Sequence, residues 1–164
     1  MNIKEKRRIS IVGSIAVGKT TYAKKLSQKT GIPVCHIDSI QYDEKLNIKD
    51  LSQIRLEIKK IENQDQWIID GYGPLDMLES RFQKADEIIF LQRSLLLNFI
   101  MLSFRVIKNF FITRKELPPG SSERSYKHIQ RQYKTLWSMY HIMRPEMLKL
   151  LNKEQIKHKV VFIG

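Results

Sequence analysis

Gly13-Ser14-Ile15-Ala16-Val17-Gly18-Lys19-Thr20 decides the fold, with Ile9-Ser10-Ile11-Val12 before it and Thr21-Tyr22-Ala23-Lys24-Lys25-Leu26 after it. The octet has the spacing G-x-x-x-x-G-K-T. The run before it is short, apolar and β-branched, which predicts a buried strand, and Tyr22, Ala23 and Leu26 recur at helical spacing. A strand, a glycine loop and a helix in that order form the setting in which this spacing holds phosphate. Glycine at both ends lets the backbone curl until successive N–H groups point inward, and the helix adds the positive end of its dipole. The residues expected to hold a nucleoside triphosphate are Gly13, Ser14, Ile15, Ala16, Val17, Gly18, Lys19, Thr20 and Thr21. Lys19 is expected to reach the β- and γ-phosphates, and the Thr20 hydroxyl to ligate Mg²⁺.

Working outward, four more apolar runs read as strands: Pro33-Val34-Cys35-His36-Ile37-Asp38, Trp67-Ile68-Ile69-Asp70-Gly71, Glu87-Ile88-Ile89-Phe90-Leu91 and Val160-Val161-Phe162-Ile163. Helices are predicted between them. The first runs to about residue 29 and is closed by Gly31 and Pro33. Another starts at Asn47, striped by Leu51, Ile54, Ile58 and Ile61, with Asp50 and Gln53 placed like a capping box. Further helices are expected over 75–82, 95–111, 123–143 and from Pro145 to Leu151. Strands alternating with helices predict an α/β domain spanning 1–164: a three-layer P-loop NTPase with a five-stranded parallel sheet and a helical lid. Ligands of such sheets bind at the carboxyl ends of the strands. Gly13, Asp38 and Asp70 are all expected there.

The chain carries 29 basic and 17 acidic residues, a net charge of +12, so an anionic partner is expected, either a phosphorylated small molecule or nucleic acid. The lone Cys35 excludes an intramolecular disulfide and a multi-cysteine zinc site, and fits a reducing cytoplasm. Basic residues before residue 9 followed by an apolar run imitate an export signal, but that run is strand and phosphate loop, so none is read. The run Leu95-Leu96-Leu97-Asn98-Phe99-Ile100-Met101-Leu102 is interrupted by Arg105 and Lys108 too early for a membrane span, which predicts a buried core helix.

Between Arg105 and Lys134 eight basic residues face two acids. Two readings of this segment compete. In one, 105–131 is a lid whose arginines, Arg105 and Arg114 foremost, close over the triphosphate and exclude water. In the other, the basic stripe is a solvated helix face. Asp70 follows hydrophobic strand residues, as an acid that holds Mg²⁺ through water does; a strand-end turn aspartate is the alternative. Asp38 either orients and deprotonates an acceptor hydroxyl or caps a turn. His36 reads as a core or edge histidine. Asn152-Lys153-Glu154-Gln155 lacks the final aspartate of a guanine-reading motif, which disfavours a regulatory GTPase.

Loop, Asp-Gly strand and lid together resemble the adenylate-kinase-like P-loop kinases, in particular their bacterial branch of DNA topology modulation proteins. The resemblance is carried by residues 13–20, 31–38, 67–71 and 85–91, with Arg105 and Arg114. It implies that 39–66 is an acceptor-binding insert, that Arg105 contacts ATP phosphates, and that Arg124 and Arg131 stand near later lid arginines. Three departures from the family qualify it. Gly71 is followed by Tyr72-Gly73-Pro74-Leu75 where adenylate kinases carry an AMP-binding arginine. The fourth strand ends in Gln92 where relatives often have aspartate. The sequence ends at Gly164 where relatives continue into a loop packing on adenine, so loose base selectivity is expected.

The sequence therefore predicts a cytoplasmic kinase that uses Mg-ATP on a small acceptor, with Lys19, Asp38, Arg105, Arg114 and Arg124 as catalytic residues and Thr20 and Asp70 at the metal. The competing expectation is an ATP-binding regulatory or nucleic-acid-binding protein with little transfer activity.

Overall fold

The computed structural model of the chain describes residues 7–109, 111 and 126–164. Five strands form one parallel sheet: β1 (Arg8–Gly13), β2 (Val34–His36), β3 (Trp67–Asp70), β4 (Glu87–Leu91) and β5 (Val160–Ile163), in the spatial order β2-β3-β1-β4-β5. The strand carrying the phosphate loop is thus central. From β1 the chain passes over β3 to β2, returns to β3 and then crosses β1 to reach β4, so the direction of winding reverses beside β1, which opens a crevice at its carboxyl end.

The period-two alternation of each strand divides its side chains between two cores. Ile9, Ile11, Ile68, Ile89 and Leu91 pack with Ala23 and Leu26 of α1 (Lys19–Thr30) on one face. Val12, Trp67, Ile69, Ile88 and Phe90 face the other way. They meet side chains of α2 (Ile37–Gln41), α3 (Leu51–Glu62), α4 (Leu78–Lys84), α7 (Arg144–Leu151) and α8 (Glu154–Lys157). Helix α5 (Leu95–Asn109) and helix α6 (Tyr126–Ser138) form the lid side of the crevice.

Several boundaries follow from local chemistry. Helix α1 ends at Gly31, whose φ of 77° is the left-handed turn that favours glycine. Asp50 caps α3 by accepting from the N–H groups of Ser52 and Gln53, so this helix starts at Leu51 and not at Asn47. Residues before it are held otherwise, by an antiparallel bridge between Tyr42 and Ile48. A 3₁₀ turn, Leu75–Met77, precedes α4.

Three further expectations need correction. The strand predicted over 33–38 ends at His36, and Asp38 lies inside α2, where Tyr42 N–H donates to its carbonyl. The helix predicted to stop at Met143 continues through a π-helical turn, Met139–Met143, directly into α7. Pro145 lacks an N–H and crowds the carbonyl four residues back, and the wider turn relieves both. Helix α5 is not a buried core helix. Its inward stripe is Asn98, Leu102 and Asn109, while most of its large apolar residues stand exposed. Among the described residues no helix is long and apolar enough to cross a membrane.

Candidate active site

The phosphate loop is built by two glycines with different reasons for being glycine. Gly13 has φ 147°, and a Cβ there would lie 2.2 Å from the Leu91 carbonyl oxygen on the neighbouring strand. Gly18 has φ 104° with open space around it and leads into α1. Ala16 also takes a positive φ, 60°, so the chain between the glycines is curled. Among the described residues no carbonyl accepts from the N–H groups of Ile15, Ala16 or Gly18; the first helical bond runs from Tyr22 N–H to Gly18 O. These donors, with the orphan amides of the first turn of α1, are therefore available to an anion. Lys19 Nζ lies over the same loop, donating to the carbonyls of Gly13 and Ser14 at 3.0 and 2.7 Å.

Beside the loop, Asp70 gathers three elements. Its Oδ2 accepts from Thr20 Oγ1 at 2.7 Å and lies 3.0 Å from His36 Nδ1. An ionised carboxylate cannot donate, so this bond requires the proton on Nδ1. Register explains the meeting, because His36 and Asp70 are cross-strand partners in the β2–β3 ladder. Burial by itself would raise the Asp70 carboxyl, but the His36 hydrogen bond, the charge of Lys19 and the Thr20 hydroxyl outweigh it and hold the group below the usual carboxylate range. Sequence reasoning placed His36 in the core or at an edge. It does sit on an edge strand, yet its ring lines the crevice, a pairing that only strand register reveals.

After Asp70 the chain turns sharply through Gly71 and Gly73, with φ of 117° and 73°. A Cβ on Gly71 would lie 3.1 Å from the Ile37 Cβ, so α2 packs directly against this turn. Behind it stands Arg81, fully buried, which was missed in the sequence because it lies within an amphipathic helix. Its Nε donates to Glu62 at 2.9 Å, and its Nη1 donates to the carbonyls of Gly71 and Tyr72 at 3.1 and 2.8 Å. Arg81 therefore positions the Asp-Gly turn from inside the protein; it does not face the crevice.

Loop, turn and lid enclose a cleft of about 720 Å³. Of the residues expected at the site, Ile15, Ala16, Gly18, Lys19, Thr20, Thr21, Asp38, Asp70 and Arg105 line it. Gly13, Ser14 and Val17 lie beneath: Val17 turns into the core, and the Ser14 hydroxyl is buried without a hydrogen-bond partner among the described residues. Arg105 is bonded to the buried Gln132 across the two lid helices, and Lys108, His128 and Arg131 share its wall. Arg114 and Arg124 lie outside the described residues, as does the middle of the 105–131 segment. On the opposite wall Asp38 lies near Tyr42, whose hydroxyl is raised by burial and by the Asp38 charge against the opposing pull of Arg131.

The same arrangement of sheet and helices is found among solved structures. Shikimate kinase from Bacteroides thetaiotaomicron superposes with a TM-score of 0.57 at 15% identity, covering 94% of each chain. The chain has the fold of the P-loop kinases. A gluconokinase from Sinorhizobium meliloti 1021 matches this kinase fold at a TM-score of 0.49 and 13% identity, over 96% of this chain and 81% of the other. Deoxyadenosine kinase from M. mycoides, with bound dATP, matches at 0.49 and 14%, over 96% and 90%. The isopentenyl transferase family model matches residues 7–71, the part of the kinase fold from β1 through the Asp-Gly turn. No curated protein matches the sequence significantly.

Proposed function

We propose that the protein is a kinase that passes the γ-phosphoryl group of Mg-ATP to a nucleotide or other small acceptor. One observation carries this reading: the loop amides and Lys19 share a single cleft with the Thr20–Asp70 pair, an arginine-bearing lid wall and a second carboxylate, Asp38. The loop N–H groups and Lys19 would hold the polyphosphate and keep it aligned. Thr20 and Asp70 offer hard oxygen donors side by side, the chemistry that Mg²⁺ takes; they would hold the ion, which would supply neutralisation of the phosphate oxygens. His36 holds Asp70 in the orientation that this role needs. Asp38 would orient the acceptor hydroxyl and receive its proton, with 39–66 forming the acceptor side. Arg105, together with Arg114 and Arg124, would balance the charge of the transferring group and exclude water.

The test is an ADP-release screen over nucleoside monophosphates, nucleosides, hydroxy acids and small alcohols, run beside Lys19→Ala. An acceptor that raises ADP release at least about a hundredfold above that variant supports the reading, since one lost transition-state donor costs about 10²–10³ in rate. No such acceptor would overturn it.

A second reading, transfer of a prenyl group, is favoured by the isopentenyl transferase match over 7–71. That reaction breaks the carbon–oxygen bond of a prenyl diphosphate and releases pyrophosphate rather than ADP. Assaying both products with a prenyl diphosphate in the screen separates the two readings.

A further inference from the structure

The outward face of α5 is apolar along its whole length. Leu96, Leu97, Ile100 and Ile107 are 70%, 53%, 40% and 58% exposed, and none of them lines the cleft. Positions 96, 100 and 107 recur on one stripe of the helix, with 97 alongside. The helix is about 22 Å long at 1.5 Å per residue. Together these side chains expose on the order of 400 Å² of apolar surface, in the range of the largest patches that monomers leave open, which often bind something.

The surroundings of the stripe say what it binds. Residues 88–115 contain no Asp or Glu, and neither do residues 126–143, while Arg93 and Lys134, which do not line the cleft, lie within these stretches. Helix α6, packed against α5 through the Phe99 and Tyr133 rings, adds Tyr126 and Trp137, both largely exposed and both of the amphipathic kind that settles at a lipid headgroup boundary. Two copies joined on this face would bring together two chains that each carry a net charge of +12, which is repulsive. An anionic bilayer surface has the opposite charge and an apolar interior directly beneath it.

We propose that α5 docks in the plane of an anionic lipid surface, its stripe entering the acyl boundary and the neighbouring cations meeting the headgroups. The helix lies on the bilayer and does not span it. Because α5 is also a wall of the cleft, docking holds the lid side of the site at the membrane.

The experiment uses the full chain with vesicles of phosphatidylcholine alone and of phosphatidylcholine with about one third phosphatidylglycerol. Sedimentation should show binding to the anionic vesicles at least about tenfold tighter than to the neutral ones, and weaker at high salt. Leu96→Gln with Ile107→Gln should reduce that binding a further tenfold or more, since two apolar side chains no longer leave water. Unchanged far-ultraviolet circular dichroism shows that the variant has folded. In the unaltered chain, vesicles with brominated acyl chains should quench the fluorescence of exposed Trp137, while Trp67, 1% exposed, reports the protein interior. Three results would overturn the proposal: no binding to anionic vesicles, equal binding by the folded double variant without quenching, or a dimer at micromolar concentration that the double variant converts to monomer.

Discussion

The Thr20 hydroxyl donates to Asp70 Oδ2 at 2.7 Å, joining the first turn of the loop helix to the end of a neighbouring strand fifty residues later in the chain. His36 approaches the same oxygen from the other side. This pair ties the glycine loop to the Asp-Gly turn, so the residues expected to handle phosphate and those expected to handle metal are held as one unit.

The pH dependence of stability should report that unit. Asp70 has a folded pKa below its unfolded value, so its ionised form contributes stability that is complete above the ordinary aspartate range and is lost as pH falls through the depressed folded value. Thermal unfolding of the unaltered chain should therefore fall more steeply than that of Asp70→Asn between about pH 5 and about pH 2. Parallel profiles would contradict the assignment.

The two loop glycines should respond differently to alanine. Gly13→Ala sets a Cβ against the Leu91 carbonyl and should cost about 3 kcal/mol or more in denaturant unfolding. Gly18→Ala meets no neighbour, so it should cost only about 1–2 kcal/mol of backbone strain while weakening nucleotide binding. Equal destabilisation by the two would mean that the loop is not held against β4 as described.

Breaking the buried Glu62–Arg81 pair should be severe. Glu62→Ala leaves a fully buried guanidinium without its carboxylate and should destabilise by about 3–5 kcal/mol in chemical denaturation. The double variant Glu62→Met with Arg81→Met should recover much of that loss, though not all, because the carbonyls of Gly71 and Tyr72 lose their donor. A double variant as unstable as the single one would show that Arg81 is not acting through this pair.

Cys35 should be chemically quiet in the folded protein. Burial pushes its thiol up to about 11, against the lowering effect of the Arg81 charge, so almost no thiolate exists at neutral pH. Alkylation near pH 8 should be at least about tenfold slower than in denaturant, where the thiol regains its ordinary value near 8.5. Equal rates would place Cys35 at the surface.

What the sequence made legible was local. The glycine spacing and the apolar runs each depend on residues within a few positions of one another, and the loop and the sheet follow from them; the Asp50 cap is equally local, yet the stripe of α3 reads as starting four residues too early, at Asn47. The edge position of His36 is legible, but its pairing with Asp70 is not, because the partner lies in another strand and nothing short of register brings the two together. Arg81 was overlooked for the same reason, since its acceptors stand nine to nineteen residues away. The apolar richness of α5 was taken for burial, yet hydropathy records only what a side chain avoids, and here the protein itself does not cover it. The strand-end position of Asp38 failed because a single helical turn begins at Ile37, inside the run read as strand.

The central claim is that the curled loop of residues 13–20 is a seat for the polyphosphate of ATP. Calorimetric titration of Mg-ATP into the full chain, beside Lys19→Ala with its fold verified by circular dichroism, tests it most directly. The account predicts one saturable site in the unaltered protein and a loss of affinity of at least about tenfold in the variant. No saturable heat at millimolar nucleotide, or equal affinity in the two proteins, would contradict it.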